Sequence, residues 1–493
     1  MVGSATGASS GSGSQGVIYP PDEPTAKKLS TEEKIELSNR AENSSTLLAA
    51  KNLLKQRMAE DMKSYPSEED FWKNSGCSGS DCGRSNFFNS SWSIAWGFTA
   101  ALHTLAPQAE GAGRSDLHAL NAQRAFWIVT VVCVPLALLQ GVSAKVLTFL
   151  GQDPALCALA QPFAIRLIPR LFVEGYFTIL QRMGQAMGHA SAVAALTFVG
   201  CAGAPIFLWL FVDQLGLGYL GAAWACTAWT VVNMFALAIF MFLQRGPGRG
   251  RSLFVPYKPF RHVFSWQGFR EYLELAIPST LHACLEWWAM DLGVMLAAGL
   301  LLHPDLNLGA NAVVSCVADI CYMMWLGVQG ATSIAVGTHI GAGRAKAAQR
   351  TIRISVMMGL CGAAVVSLGI ILGRHTIAAA LDESPDVQAK AADAMLVLAV
   401  HVFPDSVNCV LGGALRGMGR QSRGVQFQFA GFYLLGMPLC VLLLHQYRAD
   451  PFGLASLWLA VVCAVTTSSL CCAVYISRAD WDSVISEARA RNS

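Results

Sequence analysis

The chain has 493 residues, of which 54% are apolar and only 14% charged, with a formal net charge of +3. A soluble protein carries about 25% charged residues, so this chain has too few to coat a water-facing surface and is read as a membrane protein. The near-neutral balance, with no block of aromatics alternating with basic residues, gives no argument for nucleic-acid binding.

In chain order, residues 3–16 are rich in Gly and Ser and are expected to be disordered. Ser30 to Tyr65 reads as a polar helix in water, opened by the capping-box pair Ser30 and Glu33. The first 85 residues contain no apolar core of signal-peptide length. Cys77 and Cys82 lie outside the apolar segments that hold the other cysteines. Their spacing suits half of a zinc knuckle, but no second Cys/His pair follows, so a plain loop without metal is expected.

A hydrocarbon core of about 30 Å needs roughly 20 apolar residues per helix. Windows that satisfy this lie near 125–149, 156–180, 190–213, 217–243, 269–302, 310–338, 350–373, 388–412, 424–445 and 451–476. A weaker one, Asn89 to Ala106, brings the expected count to eleven. Alternate loops are basic: Arg114 and Arg124; Arg182; the stretch from Arg245 to Arg261; Arg344, Lys346 and Arg350; Arg416, Arg420 and Arg423. The others are acidic or mixed, with Asp153, Asp213, Asp305 and the stretch from Asp382 to Asp386. By the positive-inside rule the basic set and the C-terminus face the cytoplasm.

The two halves echo each other. Glu110-Gly111-Ala112-Gly113-Arg114 returns as Ile340-Gly341-Ala342-Gly343-Arg344, and Gln185-Ala186-Met187-Gly188 as Arg416-Gly417-Met418-Gly419. Pro205 returns as Pro438, and Gly221-Ala222-Ala223 as Gly453-Leu454-Ala455. All four shifts are about 230 residues. A doubled membrane half is the build of secondary transporters, whose substrate lies between the halves. The expected architecture is all-α and polytopic, in two pseudo-symmetric helical-bundle lobes. Residues 1–85 form a soluble N-terminal region, 86–243 an N-lobe of about five spans and 244–267 a basic cytoplasmic linker. Residues 268–477 form a C-lobe of six spans, and 478–493 a cytoplasmic tail. The helix at 269–302 has no counterpart in the first half. That leaves either five spans plus six or a replaced N-terminus.

A carboxylate at mid-membrane costs about 2.5–3.5 kcal/mol on insertion scales, so it usually faces a cavity and works there. Glu286 and Asp291 fall in the middle of the 269–302 helix, about 140° apart around its axis. Asp405 follows Pro404 in another span, and Asp319 lies in a third. The functional reading is that Glu286 and Asp405 exchange protons while holding a cation; the plain one is a polar brace between helices. Trp287, Trp288 and Tyr322 suit an organic cation by cation–π contact, with ordinary packing as the alternative. Arg166, Arg170 and Glu174 form either a mutual pair or an anion site. There is no phosphate loop, His-x-x-x-His pair or nucleophile elbow, and the paired glycines read as helix caps. An enzyme is not expected.

At these residues the chain resembles the multidrug and toxin extrusion family, in its eukaryotic branch. Leu285-Glu286-Trp287-Trp288 with Asp291 resembles its Glu-Trp-Trp-x-x-Glu motif, Asp replacing the second Glu. Val336 through Gly343 resembles the segment ending in Gly-Ala-Gly, and Gly412 through Gly419 the Gly-x-x-Arg-Gly-x-Gly turn. Asp405 matches a tenth-helix acid, and His103 stands where an Asp is usual before Thr104 to Gly113. The family's first helix has no match.

The resemblance implies an antiporter that exports small organic molecules, cationic here, or secondary metabolites. Exchange would be for protons or sodium, with no other cofactor, by rocking of the lobes. Glu286, Asp291 and Asp405 would be the coupling and substrate acids. A monomer in the plasma or vacuolar membrane is expected. The alternatives are a lipid flippase of related build or a transport-inactive truncated paralogue.

Overall fold

The computed structural model describes residues 93–492 apart from 115, 150–153, 244–262 and 448–451. The expected N-terminal helix, Cys77 and Cys82, and nearly all of the basic linker lie outside the described residues. Among the described residues every regular element is helical. A helical stretch at 93–99 turns into α1 (Leu102–Gly111), followed by α2 (Asp116–Gly141), α3 (Ser143–Phe149), α4 (Pro154–Gly184), α5 (Ala190–Leu208) and α6 (Gly218–Leu243). The second half holds α7 (Trp266–Leu300), α8 (Pro304–Gly341), α9 (Ala345–Leu381) and α10 (Pro385–Met418). It continues with α11 (Gln421–Phe429), α12 (Met437–Gln446), α13 (Gly453–Ser477) and α14 (Trp481–Asn492).

Among the described residues 8 helical runs are long and apolar enough to cross a bilayer. One of them, Ala160–Gln214, reverses at Gly188, whose φ of 85° only glycine adopts without strain, so it reads as two spans. α7 is not among these runs, yet it is 35 residues long and continuous. With it and the run 93–111, the eleven expected spans each have a helix. The boundaries shift in places. The weak first window runs on to Gly111, and the window at 424–445 is interrupted by a π-helical stretch, Ala430–Gly436, that joins α11 to α12.

Two apolar cores separate the halves. One gathers Leu102, Val129, Met183 and Leu237 from α1, α2, α4 and α6; the other gathers Val314, Met395, Leu398 and Trp458 from α8, α10 and α13. α7 belongs to both. Tyr272, Leu275 and Ala276 pack into the first core, Ala297 into the second, with Pro278 between them.

The sequence repeat reappears as a two-fold seam where α1 crosses α8. Ser333 Oγ donates to the carbonyl of His103 at 3.1 Å, and Gly337 meets Pro107. Gly111 lies against the carbonyl of Thr338, and Gly341 against the carbonyl of Gln108. The first two pairs join positions 230 apart, and the last two are each other's image under that shift. Only a residue without Cβ permits such backbone approach. The turns that follow are matched as well, with Gly113 at φ 71° and Gly343 at φ 73°.

Candidate functional site

The seam is closed by polar groups as well as by glycine. Thr104 Oγ1 donates to the Arg416 carbonyl at 2.5 Å, Gln108 Nε2 to the Gly417 carbonyl at 2.8 Å, and Gln421 Nε2 to Thr104 Oγ1 at 2.6 Å. α14 lies across the same end. Arg114 Nη1 donates to the Asn492 carbonyl at 2.8 Å, Asn492 Nδ2 to the Gln108 carbonyl at 3.3 Å, and Arg420 pairs with Glu487 at 2.7 Å. The halves are therefore tied together at the end that carries the basic turns.

Farther along the helices they part. A narrow crevice is lined by Ser93 and Trp96 on one side and by Ala283, Trp287, Tyr322, Met323 and Leu326 on the other. Trp287 and Tyr322 meet edge to face, ring centroids 5.9 Å apart. The acids do not line the crevice themselves, but both act on its Tyr322. The Glu286 and Asp405 carboxyls feel each other's charge, and both act on the Tyr322 hydroxyl and the Cys409 thiol. Asp405 is 4% exposed. Among the described residues neither carboxyl has a hydrogen-bond or salt-bridge partner. An ionised carboxyl held this way needs a counter-ion, a proton or water to offset the lost hydration.

The other expected site residues divide. Asp291 and Asp319 form a separate acidic pair, coupled to each other, with Asp319 exposed and Asp291 half-buried. Trp288 is 42% exposed and does not line the cleft, because one residue of helix turns it about 100° from Trp287. Arg170 pairs with Glu174 at 3.8 Å, and Thr230 Oγ1 approaches Glu174 at 3.5 Å, so the mutual-pair reading describes them. A small hollow lined by α7, α8, α12 and α13 includes Trp458, whose indole donates to Asn311 Oδ1 at 3.1 Å.

Two arginines read from sequence as loop charges belong to this region. Arg182 and Arg416 are 4% and 5% exposed. Arg416 donates through Nη1 to Gln329 Oε1 and lies within the field of Glu286. Arg182 stacks on the Trp96 ring at 4.9 Å. His103, on α1, is buried where the charges of both guanidiniums act on it, and His282, on α7, where that of Arg416 does. A basic residue at a helix end looks the same in sequence whether it meets water or the opposite lobe. The one available signal was that these two occupy matching turns of the repeat.

The profile of the MatE family matches residues 84–209 and 278–442. Protein DETOXIFICATION 16 of Arabidopsis thaliana is 28% identical, over 81% of this chain and 80% of that protein. Multidrug and toxin extrusion protein 1 of Rattus norvegicus is 27% identical, over 79% of this chain and 66% of its own length. Among solved structures, the eukaryotic MATE transporter AtDTX14 superposes with a TM-score of 0.77 at 25% identity, covering 84% of this chain and 90% of that one. The two-lobe architecture is thus shared over most of the chain.

Proposed function

This chain belongs to the MatE family of multidrug and toxin extrusion transporters, and from that premise we propose that it is an antiporter expelling organic cations in exchange for protons. Glu286 and Asp405 are the groups that alternate between cargo and proton. Ionised, they hold a cation against the Trp287–Tyr322 wall, where Coulomb attraction and the aromatic faces act together. A proton entering from the acidic side neutralises one carboxyl and weakens the hold, so cargo leaves. Loss of that proton on the other side restores the site. The lobes rock about the seam between α1 and α8, and the basic end faces the cytoplasm, in keeping with the positive-inside rule.

The observation that carries this reading is the burial of Asp405 beside Glu286 with no ion-paired neighbour, since a purely structural carboxyl would be matched by a donor. Asp291 and Asp319 stand farther out and serve as an entry for cations. Sodium in place of protons is the second coupling ion to test; a plasma or vacuolar membrane and a monomeric state complete the proposal. A lipid flippase is less well supported, because the crevice is small and the nearby Glu286 and Asp405 oppose an anionic headgroup.

The test is uptake of a fluorescent organic cation into vesicles holding the purified protein under an imposed pH gradient, then under a sodium gradient. Glu286→Gln and Asp405→Asn are expected to reduce gradient-driven transport to the rate of empty vesicles. Wild-type rates in Glu286→Gln would remove that residue from the mechanism, and no transport by the native chain under either gradient would favour an inactive paralogue.

A further inference from the structure

The acids leave unexplained the positive charge buried beside them. Arg182 reaches the seam from α4 in one lobe and Arg416 from α10 in the other, and the two guanidiniums act on each other across it. Both Nη1 and Nη2 of Arg182 are buried, with no hydrogen-bond partner among the described residues. The same holds for Nδ1 of His103 and Nδ1 of His282. Stacking on Trp96 engages the flat face of Arg182 and makes no demand on the hydrogens of its two terminal nitrogens. Like charges buried together repel, and buried donors without acceptors are costly; Glu286 acts on Arg416, but no carboxylate among the described residues bonds the Arg182 nitrogens, so an anion there would offset both costs.

We propose that Arg182 and Arg416, flanked by His103 and His282, form a binding site for a carboxylate that bridges the two lobes. The paired free nitrogens of one guanidinium match the two oxygens of a carboxylate, a geometry that a spherical anion cannot use as well. Because the lobes supply one arginine each, the site is complete only while the seam is closed. A bound carboxylate cancels the repulsion between the guanidiniums and holds that conformation. The carboxylate comes either from cargo, making the transporter accept molecules with an acidic group beside the basic one, or from a small metabolite that stays in place. The first source rests on the antiport proposed above; the binding itself does not.

The full-length chain in lipid nanodiscs is titrated with succinate, a compact carboxylate that does not cross membranes, and in parallel with chloride at matched ionic strength. The unfolding temperature is expected to rise with succinate and saturate, since a ligand bound only to the folded form stabilises it. Arg182→Gln is expected to weaken that response roughly tenfold or more. Arg182→Lys, which keeps the charge and loses the fork, should fall between, and it serves where Arg182→Gln does not fold. Labelled succinate in loaded vesicles then separates the sources: carriage across the membrane identifies cargo, whereas binding without carriage identifies a resident bridge. No saturable response, a chloride response equal to that of succinate, or wild-type binding in the folded Arg182 variants would overturn the site. Binding is read at equilibrium without any gradient, so it can fail while cation export stands, and hold while export fails.

Discussion

Replacing Gly341 by alanine isolates the contribution of the seam. Within a helix, Gly→Ala ordinarily stabilises by about 0.5–1 kcal/mol, because glycine loses more backbone freedom on folding. At Gly341 the sign reverses. An added Cβ would lie 2.8 Å from the carbonyl carbon of Gln108 and 2.9 Å from its Cα, and closer still to the carbonyl oxygen. These are backbone atoms of α1, already held by the bonds from Gln108 and Thr104 to α10 and α11, so the helix as a whole must retreat. Overpacking of this kind costs about 1–3 kcal/mol. The penalty disappears once the lobes separate, so the closed conformation loses roughly 5- to 150-fold in population against the open one. Hydrogen exchange in nanodiscs reads this directly. Amides in 102–111 and 334–342 should exchange faster in Gly341→Ala than in the native chain, and Gly111→Ala should behave alike because it meets the Thr338 carbonyl in the mirror position. Gly369→Ala is the control, since nothing lies within 4 Å of its added Cβ. Unchanged or slower exchange in Gly341→Ala would refute the close approach of α1 and α8.

Deleting residues 481–493 removes the Arg420–Glu487 pair, the contacts of Asn492 with Gln108 and Arg114, and the buried Val484, Ile485 and Ala488, and should loosen the same seam; faster exchange in 102–111 and 334–342 is the expected signature. Gly419→Ala, at φ 75° and against the Arg491 side chain, should lower stability by about 1–2 kcal/mol in thermal unfolding. Trp458→Ala should cost about 3–5 kcal/mol, because a fully buried indole leaves a cavity in the second core. Trp458→Phe should cost less and chiefly through Asn311, whose Oδ1 loses its donor.

Much of this protein was legible in its chain because the controlling quantities are local. The length of an apolar run decides whether a helix spans the bilayer, so each of the eleven expected spans has a helix. The repeat at about 230 residues implied two similar halves, and the carboxyls of α7 and α10 stood out because charge in an apolar run is costly wherever that run goes. Packing between helices decided the rest. Nothing in the residues around Glu286 states that Asp405 and Tyr322, on two other helices, come to it, or that Asp291 and Asp319 stand apart as their own pair. The glycines at 111 and 341 read as caps, and only the crossing of α1 with α8 turned them into mutual contact points. Arg182 and Arg416 were misread for the same reason. A guanidinium at the end of a span satisfies the positive-inside pattern equally well in water or pressed against the opposite lobe, and the difference is made by which helix lies over it.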